Sequence, residues 1–343
     1  MKRTVIATLV LILVIISVWS LTQIYHGKNN VSPVTRFMQP VSAMEYQRML
    51  GVGINVDWMT YSRVNYYYFY WRSRGVCIPE YFRNAGFSNV RIRVNRDVTT
   101  NYTALVQLAS IVNDTLKAGL IPVITYTAPE LRGNPTSRQA QQHFLQWWLT
   151  LARYFKGYPY TLSYDLMIES SGRIKSYPGI LNEIYAQAIR EIRSIDPYRV
   201  IIVTPAGISS PFYLDKLNIT NDGYIIAEWH IYAGGPKGCT YNVTFIENSI
   251  TTALNWSLQT GIPTWMGAWR PNVYPKTSGK NPESICSLEL EENFSKTMVS
   301  RLSKAHIPYD INADTRFFNI ENLTWYNMQK GILEIIVNHS QQT

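Results

Sequence analysis

The chain has 343 residues, of which 46% are hydrophobic, 13% aromatic and 16% charged. This composition excludes a disordered protein, and the length is enough for one large core or two small ones. The formal net charge of +9 comes from scattered Lys and Arg residues without a nucleic-acid-binding motif, so we expect no nucleic acid partner. A basic surface fits ordinary solubility, or anionic glycans and lipid head groups.

The first segment predicts a membrane anchor. Lys2 and Arg3 precede the uncharged run TVIATLVLILVIISVWSL, which reaches the roughly 18 residues needed to cross a bilayer. Because no small-residue cleavage site follows, we interpret residues 1–25 as an uncleaved signal anchor, with the rest of the chain outside the cell. A cleaved signal peptide is the alternative, and it would make the protein secreted.

Glycosylation triplets also favour an extracellular domain. Asn-x-Ser/Thr sites begin at Asn101, Asn113, Asn218, Asn242, Asn255, Asn293, Asn322 and Asn338. This density in a chain of low charge is typical of a glycosylated surface protein.

After a polar linker over residues 26–45, apolar strand patterns alternate with helical patterns to the end of the chain. The predicted strands lie at 51–58, 89–94, 121–128, 161–170, 199–207, 224–233, 262–269 and 307–314. The predicted helices lie at 79–87, 102–119, 137–155, 179–195, 246–261, 289–306 and 327–339. The aromatic run YYYFYW, residues 66–71, is assigned to a loop after the first strand.

This alternation predicts an α/β fold, a (β/α)8 TIM barrel that forms one domain over residues 46–343. A doubly wound open sheet is the alternative, but no glycine-rich phosphate loop follows the first strand. In a barrel, functional side chains lie at the carboxyl ends of the strands. Those ends are therefore where we look for chemistry.

The fourth predicted strand ends at Glu169, which shares a face with Asp165 and Met167. Partial burial would raise the pKa of a carboxyl at this position, so Glu169 is a candidate general acid. A loop glutamate that pairs with an arginine is the alternative.

The sixth predicted strand places Glu228, His230 and Tyr232 on one face. His230 and Tyr232, near the end of the strand, could hold a sugar hydroxyl or orient a carboxylate. Glu228 lies one layer deeper and needs a buried partner, for which Arg91 and Arg93 are candidates. Two roles are therefore open for Glu228: it forms a buried ion pair below the site, or it acts as a second catalytic carboxylate.

Tryptophans are frequent near the same strand ends. Trp229, Trp265 and Trp269 offer flat apolar faces of the kind on which sugar rings stack. Trp147 and Trp148, in contrast, lie within a helical pattern and are assigned to the core.

In their order and spacing, these segments resemble the cellulase-type glycoside hydrolases of family 5, which are retaining (β/α)8 glycosidases. The resemblance covers most of residues 50–312. NAGFSNVRIRV puts the family's active-site arginine at Arg91, YDLMIESSG puts the general acid/base at Glu169, and WHIYAGGP gives His230 and Tyr232. The resemblance implies hydrolysis of O-glycosidic bonds in β-linked glycans, with a polysaccharide partner and without a metal or organic cofactor.

The chain departs from the family's pattern at several positions. Ile168 stands where the family has an asparagine before the acid/base, and Asn312 replaces a platform tryptophan, which leaves Asn312 a candidate for substrate binding. In GIPTWMGAW, Ala268 occupies the position of the nucleophilic glutamate. A retaining mechanism needs two carboxyls about 5 Å apart, so we expect ordinary double displacement to be lost.

Three hypotheses follow. The protein is a hydrolase with a relocated carboxylate, for which Glu228, Asp310 and Asp314 are candidates. Alternatively, it is a catalytically silent barrel that binds glycans at the cell surface. The third hypothesis is a structural component of the cell envelope.

The chain has three cysteines. Cys239 and Cys286 lie in the loops after the sixth and seventh predicted strands, which are neighbours on the functional face of a barrel. We predict a disulfide between them, with Cα atoms within about 7 Å, and a free Cys77.

Overall fold

The computed structural model describes residues 38–232, 239–271, 286–327 and 330–338. Eight parallel strands, hydrogen-bonded in chain order, close into a barrel through the pairing of the first strand with the last, which confirms the predicted barrel. The strands are β1 (Val52–Met59), β2 (Asn89–Val94), β3 (Ile121–Tyr126), β4 (Ser163–Asp165), β5 (Ile201–Val203), β6 (Ile225–Ile231), β7 (Thr264–Trp269) and β8 (Tyr309–Asn312).

Helices cover the outside of the barrel, and a short hairpin follows β8. The helices are α1 (Ala43–Leu50), α2 (Ser62–Arg72), α3 (Ile78–Asn84), α4 (Tyr102–Lys117), α5 (Pro129–Gly133), α6 (Arg138–Phe155), α7 (Pro178–Arg193), α8 (Val243–Thr260), α9 (Leu288–Lys304) and α10 (Lys330–Asn338). The hairpin consists of β9 (Phe318–Asn319) and β10 (Thr324–Trp325).

Of the five longest helices, all except α7 begin at a capping residue. The side chains of Asn101, Ser137, Asn242 and Ser287 each accept a hydrogen bond from the backbone N–H three residues later. Such caps satisfy a donor that the first turn of a helix leaves free, so they fix where α4, α6, α8 and α9 start.

Two helices differ from the sequence-based assignment. The run at residues 66–71 lies in α2 and not in a loop, because Tyr68 is buried against Trp58, with ring centroids 5.1 Å apart. Packing of this kind outweighs the modest helix propensity of aromatic residues. The predicted linker 26–45 also runs into α1, which begins at Ala43.

The core has two parts. The larger part fills the space between the strands and the surrounding helices and includes Trp147 and Trp148, as predicted. The smaller part lies inside the barrel, where α1 closes the end opposite the functional face. Tyr46 of α1 donates its hydroxyl hydrogen towards the carbonyl of Thr161 and the hydroxyl of Ser163, both at 2.8 Å, and this fastens α1 to β4.

The predicted disulfide is confirmed. Cys239 and Cys286 are bonded, with their Cα atoms 5.2 Å apart, and Cys77 is a free thiol. The bond joins the segment after β6 to the segment before α9, on the face where β6 and β7 end.

The compact unit that carries the barrel is Pro40–Thr343. The predicted anchor at residues 1–25 and most of the predicted linker lie outside the described residues. Within the described residues, no helix has both the length and the apolar character needed to cross a bilayer.

Candidate active site

A pocket of about 230 Å³ opens at the carboxyl ends of the strands. It brings together five of the predicted site residues, namely Arg91, Glu169, His230, Tyr232 and Asn312. Among the described residues that line it, Glu169 is the only one with a carboxyl group. The remaining lining residues are Asn55, Thr60, Tyr61, Arg93, Thr127, Arg132 and Ile168.

Arg91 forms the floor of this pocket. Its Nη1 donates to Oδ2 of Asp165 at 2.9 Å and forms a close ion pair with Glu228, and its Nε donates to Asn55. Asn55 in turn donates to the carbonyl of Gly267 at 3.0 Å. All of these side chains are buried, so one guanidinium group connects β1, β2, β4, β6 and β7.

Glu228 pairs with Arg91, one of its two predicted partners, and is fully buried below the pocket. It is absent from the described pocket lining, so a role as a second catalytic carboxylate is not supported. The physical reason is that a withdrawn Glu228 would leave the buried Arg91 with one carboxyl partner, Asp165, instead of two. The buried ion pair, the alternative named above, is the arrangement observed.

His230 lies between the two glutamates. Its Nδ1 is 3.7 Å from Oε2 of Glu169, and its Nε2 is 3.5 Å from Oε2 of Glu228. Burial alone would lower the pKa of His230, but the charge of Glu228 and the nearby carboxyl group of Glu169 raise it above the usual value. The imidazole is therefore favoured in its charged form.

The pKa of Glu169 is shifted in the direction opposite to the one expected from the sequence. Burial acts to raise its pKa, but the nearby polar side chains of His230 and Ser171 and the positive charges of His230 and Arg132 outweigh burial, and the pKa is lowered. Glu169 is thus favoured as a carboxylate in the free pocket. The expectation of a raised pKa was wrong because it considered burial without the neighbouring cations.

Glu169 does not lie within a strand, since β4 ends at Asp165. Its position is fixed by the next residue, Ser170, whose hydroxyl donates to the carbonyl of Pro205 at 2.6 Å and accepts from the N–H of Ser209 at 3.0 Å. Ser209 is in the left-handed region, with φ of 56°, in the turn that follows β5. The carboxyl group is therefore held by a tie between the β4 and β5 loops.

A second polar chain forms one wall of the pocket. Asp57 pairs with Arg93, whose Nη1 donates to Oδ1 of Asn312 at 2.9 Å. Asn312 donates to the hydroxyl of Tyr232 at 2.7 Å. These contacts orient Asn312 and Tyr232, the two predicted substrate-binding residues from β8 and the end of β6.

The predicted role of the three tryptophans in substrate binding is wrong. Trp229, Trp265 and Trp269 are all fully buried and absent from the pocket lining. Trp229 alternates with Glu228 and His230 along β6 and so packs in the outer core, while Trp269 contacts Phe294 of α9 at 5.6 Å between ring centroids. Trp265 lies inside the barrel, 5.1 Å from the guanidinium carbon of Arg91.

The strand β7 is irregular at Gly267 and Ala268. His230 pairs with Ala268, and the pairing of β7 with both neighbours shifts register between Met266 and Trp269. A Cβ atom on Gly267 would collide with Oε2 of Glu228 and lie 2.9 Å from Nη1 of Arg91. The glycine therefore provides the space in which the Arg91–Glu228 pair forms, and Ala268 is buried beside it.

Asp310 and Asp314, the other candidates for a relocated base, are buried and absent from the described lining. Burial raises the pKa of each to about 8, with Glu228 adding to the effect on Asp310 and Asp57 on Asp314. Both are therefore favoured in the protonated form, and neither is placed in the described lining to act on a substrate as a base.

Sequence reasoning missed Arg132 and Asn55 in the pocket and Asp165 beneath it. Arg132 belongs to α5, which follows β3 directly, and it forms a close contact with Ser171 next to Glu169. The signal that was available is the charged PELRG segment immediately after a barrel strand. No group of three or more potential metal ligands occurs within the described residues.

The first prediction concerns the Arg91–Glu228 pair. Arg91→Met leaves two buried carboxylates without their cation, so we expect it to lower the free energy of unfolding by about 3–5 kcal/mol. Adding Glu228→Gln in the same chain should recover part of this loss, and the exposed Arg48→Met serves as control. Urea unfolding of these three variants and of Glu228→Gln alone is the measurement. An additive double variant would contradict the pairing.

The second prediction concerns Asp310. Its folded pKa of about 8 lies above the unfolded value of about 4. The stability that its protonated form provides is therefore fully present below about pH 4 and is lost as the pH rises towards 8. We expect the free energy of unfolding of Asp310→Asn, relative to that of the native chain, to be higher at pH 7.5 than at pH 4.5. Thermal unfolding at both pH values, with the exposed Asp215→Asn as control, checks this; a constant difference would contradict it.

Comparison with known proteins places this geometry in a family. A sequence model of the cellulase family, glycosyl hydrolase family 5, matches residues 77–280. Endoglucanase H of Acetivibrio thermocellus is 22% identical over 328 residues, which are 85% of this chain and 34% of that protein. The chain thus spans about a third of the length of that curated relative.

Solved structures share the fold at low identity. Endoglucanase Cel5A of Thermotoga maritima superposes with a TM-score of 0.69 at 21% identity, covering 87% of this chain and 100% of that one. Cellulose synthase subunit Z (CcsZ) of Clostridioides difficile gives 0.67 at 19% identity, covering 84% and 99%. Since the family match extends over more than half of the sequence, this chain belongs to glycosyl hydrolase family 5, the cellulase family.

Proposed function

We propose that this chain acts on β-linked glycans in the Glu169 pocket and hydrolyses O-glycosidic bonds without a nucleophilic side chain. The observation that carries the proposal is the place of Glu169, a carboxyl group with 25% of its side chain exposed in a pocket at the strand ends, beside His230. Membership of the family and the names of the relatives, several of which are endoglucanases, support a β-glucan as the first substrate to test.

The Glu169–His230 pair is the proposed source of the proton. The raised pKa of His230 and the lowered pKa of Glu169 favour a charged imidazole beside a carboxylate in the free pocket. Cleavage requires that a proton reach the departing glycosidic oxygen. Because Glu169 is the more exposed member of the pair, we infer that it delivers this proton and that His230 returns one to it.

Water is the proposed attacking group. Ala268 stands where the resemblance implies the nucleophile, and a methyl group cannot form a covalent glycosyl intermediate. Direct attack by water on the anomeric carbon inverts its configuration. Without a second carboxyl in the described lining to activate that water, we expect a slow enzyme.

Glycan binding without hydrolysis is the second candidate. It is favoured by the single carboxyl of the described lining and by the lowered pKa of Glu169, which leaves little of its acid form near neutral pH. In that case the Glu169 carboxylate and the amide of Asn312 would bind sugar hydroxyls. A purely structural role in the cell envelope would use none of these groups.

The test is hydrolysis of β-glucan, mannan and xylan oligosaccharides by the full chain in detergent, with product anomers followed by NMR. We expect slow cleavage of at least one substrate, the inverted anomer as first product, and a fall of about 100-fold or more in Glu169→Gln. The exposed Glu183→Gln, on α7, is the matched control.

The outcomes separate the two candidates. Cleavage with retained configuration, or cleavage that survives Glu169→Gln, contradicts the proposed mechanism. Binding without cleavage by the native chain, with retaining activity appearing in Ala268→Glu, would identify a silent glycan-binding barrel. Neither binding nor cleavage with any of the glycans would overturn both.

We also propose that the barrel domain is displayed outside the cell, anchored through residues 1–25. This rests on the sequence, namely the apolar run after Lys2 and Arg3 and the density of Asn-x-Ser/Thr triplets. Protease added to intact cells should remove the domain, and an enzyme that removes N-linked glycans should increase its gel mobility. Full protection from the protease in intact cells, with digestion after lysis, would contradict this location.

A further inference from the structure

A second groove, of about 460 Å³, lies on the outer side of α2. We call it the tyrosine groove and define it by Asn65, Tyr66, Tyr70, Arg74, Arg96 and Gln107. It contains Tyr66 and Tyr70, the two residues of the aromatic run at 66–71 that belong neither to the core nor to the Glu169 pocket.

The rings of Tyr66 and Tyr70 form a platform. Their planes are inclined by only 30° with centroids 6.0 Å apart, and Tyr66 is 61% exposed. The guanidinium carbon of Arg74 lies 3.5 Å from the centroid of the Tyr70 ring. Arg74 therefore holds Tyr70 in place and leaves Tyr66 as the accessible ring, on which the apolar face of a sugar can stack.

The platform is not a requirement of helix packing. In α2 the buried positions are Asn65 and Tyr68, which point towards β1 and the core. Tyr66 is on another side of the helix, where its large ring stays in water. An exposed ring held in a stacked arrangement beside a groove is a feature of binding surfaces more than of cores.

The groove is positively charged. Its described lining contains Arg74 and Arg96 and no carboxyl group. Arg74 donates to the carbonyl of Tyr70 at 3.0 Å, and Arg96 donates to the side chain of Gln107 at 3.0 Å, so neutral acceptors hold both guanidinium groups. In α2, by contrast, Arg63 and Arg72 form salt bridges with the carboxylates of Glu321 and Asp114, respectively.

The first residues that line the groove follow directly, in the sequence, residues that line the Glu169 pocket. Thr60 and Tyr61, directly after β1, line the pocket, and Ser62 and Asn65, in the first turn of α2, line the groove. Tyr61 in the pocket lining and Ser62 in the groove lining are consecutive residues, so the two surfaces adjoin at the start of α2.

We propose that the tyrosine groove binds acidic sugar units of the glycan whose neighbouring units enter the Glu169 pocket. A pyranose ring stacks on Tyr66, and its carboxylate or sulfate group binds the guanidinium groups of Arg74 and Arg96. This proposal rests on the proposed function and adds to it a substrate class, namely anionic β-linked polysaccharides longer than the pocket alone can hold.

The test is binding of three soluble β-1,4-glucans, carboxymethylated, sulfated and hydroxyethylated, to the full chain in detergent. We expect the two anionic polymers to bind more tightly than the neutral one, and Tyr66→Ala and Arg74→Gln each to weaken anionic binding about tenfold. Tyr66→Phe, which keeps the ring, should bind like the native chain. The preference between the two anionic polymers identifies carboxylate or sulfate.

The matched controls lie at the opposite end of the barrel. Tyr198, 46% exposed in the segment before β5, and Arg48 of α1 are changed to Ala and Gln and should leave binding unchanged. Raising the salt from about 0.05 to 0.5 M should weaken the binding of anionic polymers to the native chain more than their binding to Arg74→Gln. The reason is that salt screens a charge interaction that the variant lacks.

Two failures are distinguishable. Equal binding of neutral and anionic polymers, or native affinity in Tyr66→Ala, overturns the tyrosine groove. Binding of a neutral disaccharide by Tyr66→Ala, which lacks the platform ring, tests the pocket alone, and its failure to bind counts against the proposed function while the polymer result still decides the groove. Thermal unfolding of every variant shows that a change in binding is not a loss of fold.

Discussion

The ion pairs of Arg91 are the constraint on which the site depends. One guanidinium group, buried in the middle of the barrel, faces the carboxyl groups of Asp165 and Glu228 and the amide of Asn55. Replacing such a cluster with apolar residues often costs little stability, but removing one partner is expensive. Its role is thus positional, because it fixes Glu228, Glu228 fixes the charge of His230, and His230 sets the protonation of Glu169.

The lowered pKa of Glu169 also follows from what is missing near it. Two carboxyls that share a site raise the pKa of one of them and so favour its protonated form. At the described pocket surface Glu169 has cationic neighbours, His230 and Arg132, and no second carboxyl. The ionised state of Glu169 therefore reflects the cations beside it in this part of the pocket.

Much of the fold could be predicted from the sequence because hydrophobic periodicity and glycine positions report directly on strands and helices. The meeting of Glu169, His230 and Arg91 could be predicted because a closed parallel barrel brings strand ends together. The outward position of Trp229 could have been predicted, since it alternates with Glu228 and His230 on β6, but that of Trp269 could not, since a register shift in β7 turns it to the outside. The helix α2 and the pKa of Glu169 depend on tertiary neighbours, which periodicity does not reveal.

Gly267 has a consequence for the evolution of this chain. Any side chain at position 267 would occupy the space of the Glu228 carboxyl group, which Arg91 prevents from moving away. Substitution at position 267 is therefore open only to sequences in which residue 228 is already small, and a glutamate at 228 in turn commits the chain to glycine at 267. The two positions should vary together among relatives.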